Sequence, residues 1–330
     1  MAKVTTDTIT DPHFGKCAVI TNGLIELRVT IDIGPRVIYC ACTGMDNMFF
    51  EDTKKTPLGE KFDVFKEESD KSDKFEKPVN SVNSVNTNDQ QKLYGGHRLW
   101  ISPEVVPRCY HPDNLPVTVE ELEDGARFTG AVEKYNQIQK SISLTLEPDA
   151  PHVKVVHTIR NVGLWDIRLA PWAITMLAPG GLEVMPMPAR TTELLPNRNF
   201  TFWDYTELND SRIYFGKDFL TLKQDTSKEN PFKLGYNNEA GWAAYFNRGQ
   251  VFLKYFEPTI EGFYPDNGCC FETYTNGSMI EMETLGEMYE LDPDDFVTLE
   301  EEWEIYKGEG PKDPRDEGQL KAAVAEWIKI

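Results

Sequence analysis

Positive charge is scarce in this sequence: 34 lysines and arginines stand against 54 aspartates and glutamates, for a formal net charge of −20. That balance excludes proteins built to hold nucleic acid or anionic lipid, which need basic patches to meet phosphate. Long hydrophobic runs are missing too. No window approaches the ~18 apolar residues of a membrane span, and the opening Met1-Ala2-Lys3-Val4-Thr5-Thr6 lacks the apolar stretch of a secretory signal. Histidine is rare, with five in 330 residues, and the six cysteines form no motif. Cys40-Ala41-Cys42 is too tight for a CxxC pair, Cys269 and Cys270 are adjacent, and Cys17 and Cys109 stand alone. Zinc needs two or more such ligands at characteristic spacing, and none occurs. Reduced thiols and a cytoplasmic location are therefore expected. No phosphate-cradling glycine loop, G-x-S-x-G elbow or dinucleotide fingerprint is present, which removes most nucleotide-dependent and serine-hydrolase chemistry.

What the chain does have is short alternating runs separated by turn signals, the pattern of an antiparallel β sandwich. Leu24 to Thr30, Arg36 to Cys42 and Ile138 to Leu146 alternate, and Val153 to Ile159 continues the series. Val117 to Leu122 and Arg127 to Val132 flank Asp124-Gly125, a hairpin signal. Ile167 to Leu177 is nearly all apolar and reads as a central strand. Trp242–Phe246 with Val251–Phe256, Phe271–Thr275 with Met279–Leu285, and Val297 to Tyr306 follow. The expected fold is mainly β, one domain over 1–330, with few helices. Leu320, Val324, Trp327 and Ile328 fall at helical spacing after Asp313-Pro314, which predicts a C-terminal helix at about 314–329. Residues 52–92 are rich in Lys, Glu, Asp and Asn, with Ser81-Val82-Asn83 repeated as Ser84-Val85-Asn86. They read as a polar surface excursion, too poor in apolar residues to make a core.

The most informative local feature is a hairpin. Asn276-Gly277 between two alternating runs predicts a two-residue turn, pairing Thr275 with Ser278 and setting Glu272 opposite Glu281, with Glu283 on the same face opposite Cys270. Like charges facing each other across strands are destabilising, so three glutamates on one face need a reason. They face bulk water, or Arg or Lys from neighbouring strands neutralises them. Alternatively one keeps a raised pKa and serves as acid or base, or a calcium-like cation is held by Glu272, Glu281 and Glu283. Apart from that cation, no metal or other cofactor is expected.

A second segment, Tyr94-Gly95-Gly96-His97-Arg98-Leu99-Trp100-Ile101-Ser102-Pro103-Glu104, concentrates unusual chemistry. The glycines allow positive φ or close backbone approach. His97 titrates near neutrality, Arg98 offers a planar fork for carboxylates or hydroxyls, and Trp100 offers a flat face for a sugar ring. The bland alternative is a bend followed by a strand with a solvated His-Arg pair. His157 shares a parity with Val153, Val155 and Ile159, which favours a satisfied core histidine over a catalytic one.

Taken together the chain resembles the galactose mutarotase-like (aldose 1-epimerase-like) superfamily, most closely its DUF4380-type branch. The matching stretches are Asn22 to Leu27, Asp32 to Val37, Tyr94 to Glu104, Ala170 to Thr175, Tyr264-Pro265-Asp266 and Glu272 to Gly286. The resemblance implies a large antiparallel β supersandwich that binds a small-molecule sugar or glycan, with neither nucleic acid nor membrane as partner. It implies an isomerase-type activity in which a glutamate base and a histidine acid open and close a pyranose ring. Glu283 matches the base. The family's histidine would fall within Asn161 to Thr175, where this chain has none, so His97 is the acid candidate, with His157 behind it. Arg98 or Arg36, together with Trp100, Glu104, His157, Lys233, Tyr264, Asp266, Glu272 and Glu281, would hold the sugar. A glycan-binding module without catalysis, and a glycan lyase or hydrolase using the clustered glutamates, are the alternatives.

Overall fold

Alternation of apolar and polar residues builds nearly all of the regular structure among the described residues as strands, because each side of a half-buried sheet takes every second side chain. The computed structural model describes residues 4–58 and 90–328. In chain order the strands are β1 (Thr5–Asp11), β2 (Gly15–Thr21), β3 (Ile25–Thr30), β4 (Val37–Cys42), β5 (His97–Ser102), β6 (Thr118–Leu122) and β7 (Gly125–Thr129). There follow β8 (Ile138–Leu146), β9 (His152–Asn161), β10 (Ile167–Leu177), β11 (Leu182–Pro186), β12 (Phe200–Phe202), β13 (Ile213–Phe215) and β14 (Phe219–Lys223). The last are β15 (Phe232–Tyr236), β16 (Trp242–Asn247), β17 (Gln250–Tyr255), β18 (Phe271–Thr275), β19 (Ile280–Leu285), β20 (Tyr289–Leu291) and β21 (Phe296–Lys307).

They form two large antiparallel sheets. The first runs β1-β2-β3-β4-β5-β10-β19-β18-β15-β12, with β20 added beside β10. The second runs β13-β14-β11-β16-β17-β21-β9-β8-β7-β6. The main core lies between them and includes Phe49, Phe252, Trp303, Tyr245 and Phe271. The expected mainly β, antiparallel architecture is observed, and the nearly all-apolar Ile167–Leu177 run is central, flanked by β5 and β19.

The C-terminal helix spans Glu317–Trp327, within the predicted range, and Asp316 caps it by accepting from Gly318 N and Gln319 N. Leu320, Val324 and Ile328 pack on Leu182, Val184, Trp242 and Leu253, covering the outer face of the second sheet. Of the predicted excursion at 52–92, residues 59–89, including the Ser-Val-Asn repeat, lie outside the described residues. Its two ends run side by side: Leu58 N donates to Gln91 O at 2.9 Å and Leu93 N to Thr56 O at 2.7 Å.

Two features place the site. Gly95 and Gly96 are both left-handed (φ 88° and 69°), and a Cβ on Gly96 would stand 2.2 Å from Val37 O. This close approach starts β5 against β4 and requires glycine. The hairpin differs from the expectation: Thr275 pairs with Ile280 and Glu272 with Glu283, while Glu281 faces Tyr274. Asn276 is the cause. Its side chain accepts from Ser278 N and Met279 N, and its own N–H donates to Met279 O, so the turn closes around Gly277-Ser278 instead of Asn276-Gly277. The pairing slips by two residues, which preserves the face of every side chain because the strand period is two.

Candidate functional site

Cross-strand register collects the site on the outer face of the first sheet. Glu272 on β18 opposes Glu283 on β19, Glu283 opposes Ile174 on β10, and Ile174 opposes Arg98 on β5. One step along, Lys233 on β15, Tyr274 and Glu281 form a second row. One step the other way, Trp172 on β10 opposes Trp100 on β5. The register thus places Arg98, Trp100, Glu272, Glu281, Glu283 and Lys233 on one face of the sheet. Gly235, opposite Glu272, leaves the room: a Cβ there would meet Cys269 Sγ at 2.7 Å and Glu272 Cγ at 3.1 Å.

The positive charge among the glutamates is an ammonium. Lys233 Nζ lies 2.8 Å from Glu272 Oε2 and 2.9 Å from Glu283 Oε2, and Trp172 Nε1 donates to the same Glu283 oxygen at 2.8 Å. Lys233 sits between the rings of Trp172 and Trp203, 4.7 Å from each centroid. Its Nζ stands between the carboxylates where the calcium reading would put an ion, so neutralisation by a neighbouring strand accounts for the facing glutamates.

Glu272 and Glu283 are fully buried, and Glu281 is 8% exposed. Burial pushes Glu272 well above the usual carboxylate range, with Lys233 pulling against it. Burial, with Glu283 adding to it, raises Glu281 to about 8. Burial opposes charge on Lys233, but Glu272 and Glu283 outweigh it and hold the amine well above its ordinary value. Burial lowers Arg98 to about 10, the nearby Arg36 contributing. Glu272 and Glu281, both raised by burial, face Lys233 and Arg98 and share protons as a coupled pair near neutral pH.

Several buried polar atoms on this face have no partner among the described residues: Arg98 Nε and Nη1, Trp100 Nε1, Glu272 Oε1 and Glu283 Oε1. Leaving a buried donor or acceptor unmade costs about 1–3 kcal/mol, and native proteins keep few of them. Here donors and acceptors occur together, with the Arg98 guanidinium stacked 4.1 Å over Trp100.

Not every predicted residue joins them. His97 is next to Arg98 on a strand, so it points the other way, into the core between the sheets. Its Nδ1 is 2.8 Å from Thr175 Oγ1 and its Nε2 2.7 Å from His157 Nε2. His157 Nδ1 donates to Leu299 O at 2.8 Å, which fixes the chain: Thr175 hydroxyl to His97 Nδ1, His97 Nε2–H to His157 Nε2. Both rings are fully buried and satisfied as neutral imidazoles, and burial, joined for His97 by its partner, lowers their pKa values. The histidine acid and the His157 sugar contact are thereby withdrawn from this face; His157 is the satisfied core histidine that its parity favoured. Glu301 completes the interior group: it pairs with Lys254 at 2.9 Å and accepts from Trp303 Nε1.

Arg36 is committed elsewhere, pairing with Asp113 at 2.8 Å and donating to Leu93 O and Lys92 O. Glu104 accepts from the Tyr110 hydroxyl, and the Tyr110 ring packs on Trp100 at 5.2 Å. Tyr264 is buried with its hydroxyl accepting from Thr259 N. Asp266 lies at the far end of the face, where Ser102 Oγ donates to its Oδ2 at 3.5 Å. Sequence reasoning missed Trp172, whose parity with Arg168 was masked by the nearly all-apolar run. It also missed Lys254, although a lysine in the middle of an apolar strand is a visible signal.

No protein-family model and no curated protein matches this sequence. Solved structures do match it in fold. A TPR-domain containing protein from Parabacteroides distasonis is 12% identical with a TM-score of 0.55, the match covering 96% of this chain and 49% of that one. A galactose mutarotase-like protein from Clostridium acetobutylicum is 14% identical with a TM-score of 0.50, covering 92% and 98%. Another galactose mutarotase-like protein, from Lactobacillus casei, is 10% identical with a TM-score of 0.50, covering 92% and 100%. At these identities the likeness is one of fold: a galactose mutarotase-like β sandwich.

Proposed function

We propose, from a galactose mutarotase-like fold, that this protein binds a sugar on the Arg98–Glu272–Glu283 face and interconverts its anomers by proton transfer. The observation that carries the reading is the set of orphaned polar atoms. Arg98 and Trp100 present unmet donors beside unmet acceptors on Glu272 and Glu283, and a sugar hydroxyl both donates and accepts. Trp100 and Trp172 add flat apolar surface beside them.

Ring opening needs a base for the anomeric hydroxyl and an acid for the ring oxygen; closing the ring on the other face of the carbonyl reverses both transfers. Glu283 supports the base role, held by Trp172 and Lys233. Glu281, raised to about 8, supplies the proton that a histidine was expected to give. The likeness to the DUF4380-type branch rests on the sequence segments quoted above. Six buried, unpaired cysteines fit a reducing cytoplasm.

The test is anomer exchange followed by polarimetry on a panel of free sugars. Glu283→Gln and Glu281→Gln should each lower the rate by about 10²–10⁴-fold. A wild-type protein no faster than buffer overturns catalysis. Sugar binding by calorimetry without exchange then selects the non-catalytic reading, which the turning of His97 into the core favours.

A further inference from the structure

The same face continues beyond the glutamates into an open cavity. On β10, Arg168, Ala170, Trp172 and Ile174 share one parity, and Ala170 opposes Ser102, whose hydroxyl reaches Asp266. Asp266 borders a cavity of about 770 Å³ lined also by Arg108, Arg168, Phe263, Tyr264 and Met288, within the size range of ligand sites. Phe263 is 64% exposed, and the Arg168 guanidinium stacks 5.4 Å from its ring centre. Arg108 Nη2 donates to Arg168 O at 2.8 Å and holds that strand end. Arg168 faces Glu290 across the β10–β20 pair, yet no ion pair joins the two among the described residues. Asp266 also reaches back, since its charge acts on Glu272. An exposed aromatic ring flanked by a planar cation and a carboxylate offers a stacking platform with both hydrogen-bond donors and acceptors.

The geometry points to an oligosaccharide, not a single sugar, as the ligand: the Phe263–Arg168–Asp266 cavity is a distal subsite for further rings of a chain whose end lies at Glu283. It rests on the sugar reading above. Six residues of β10 separate the Glu283 row from Arg168, about 20 Å at the usual rise per residue, which one pyranose cannot span and a chain of several rings can. Trp100 and Trp172 lie between the two ends. Each stacked ring adds burial to the same binding event, so affinity climbs with chain length until the cavity is filled and then levels.

The test is calorimetry with linear α- and β-linked glucan, galactan and mannan oligosaccharides from one to six rings. At least one series should gain tenfold or more between one ring and four, then level. In Phe263→Ala the ratio of four-ring to one-ring affinity should collapse towards one, and Arg168→Gln should reduce it severalfold. Both positions are exposed, so folding is not at stake. Single sugars that bind as well as longer chains, or a length gain that survives Phe263→Ala, overturn the subsite alone. If neither single sugars nor chains bind, the sugar reading falls and the subsite with it.

Discussion

At the scale of the residue, Lys233 is the group on which the glutamate face depends. It is buried between two facing carboxylates, and removing one partner of a buried charge set typically costs about 3–5 kcal/mol. Lys233→Met should destabilise the protein by that order at pH 7.5. Without the ammonium, the Glu272 carboxyl, already raised by burial, rises still further above its unfolded value. The folded state then holds protons that the unfolded state releases, and stability falls as pH rises through that window. Urea unfolding at pH 5 should therefore show a smaller loss than at pH 7.5; an equal loss at both would refute the arrangement. The sequence places His97 and Arg98 in one site, yet neighbours on a strand point to opposite faces. Arg98 opposes Ile174, the cross-strand neighbour of Glu283, so His97 could only enter the core. That much was legible, given the strand.

At the scale of the element, long alternating or apolar segments were readable and short buried ones were not. Ile138–Leu146 and Ile167–Leu177 form strands with the expected bounds, because nine or eleven residues of pattern outweigh any local preference, and the five-residue Phe271–Thr275 does so beside its turn signal. By contrast β12 and β13 are three residues each, and β11 is buried on both faces. Such segments carry no alternation to read. The hairpin register failed for a different reason: the Asn276 side chain caps two backbone amides and moves the turn by one position, an effect that dipeptide preference alone does not contain. The Gly95-Gly96 bend shows the reverse, a local signal fully realised. Gly96→Ala would force a left-handed alanine against Val37 O, and strain of this kind costs about 1–3 kcal/mol before any clash is counted. The variant should melt well below wild type in calorimetry; an unchanged melting temperature would mean that β4 and β5 can part without cost.

At the scale of the whole molecule, the two sheets are joined by polar as well as apolar contacts. Lys254, on the second sheet, pairs with Glu301 and also reaches Ala173 O and Met282 O of the first sheet at 3.4 and 3.2 Å. Those carbonyls lie directly behind Ile174 and Glu283, so this lysine supports the backbone of the site from within the core. Lys254→Met should cost about 3–5 kcal/mol by leaving Glu301 uncompensated, and adding Glu301→Gln should recover part of that loss. A double variant as unstable as the sum of the singles would show the two groups to be independent. The pairing of His97 with His157 crosses the same gap, as does Thr273 of the first sheet donating to Glu183 of the second.

The paired ends of the 52–92 segment have a practical corollary. Residues 56–58 and 91–93 are hydrogen-bonded to each other, and Arg36 fastens the returning arm through Lys92 O and Leu93 O, four residues before His97. The chain therefore departs and comes back through one doorway. Loop closure changes by only about 0.6 kcal/mol for each doubling of length, so a guest domain with adjoining termini can be spliced there without disturbing either sheet. Such a fusion would seat an optical reporter within a few residues of Arg98, turning ligand occupancy into a readable signal.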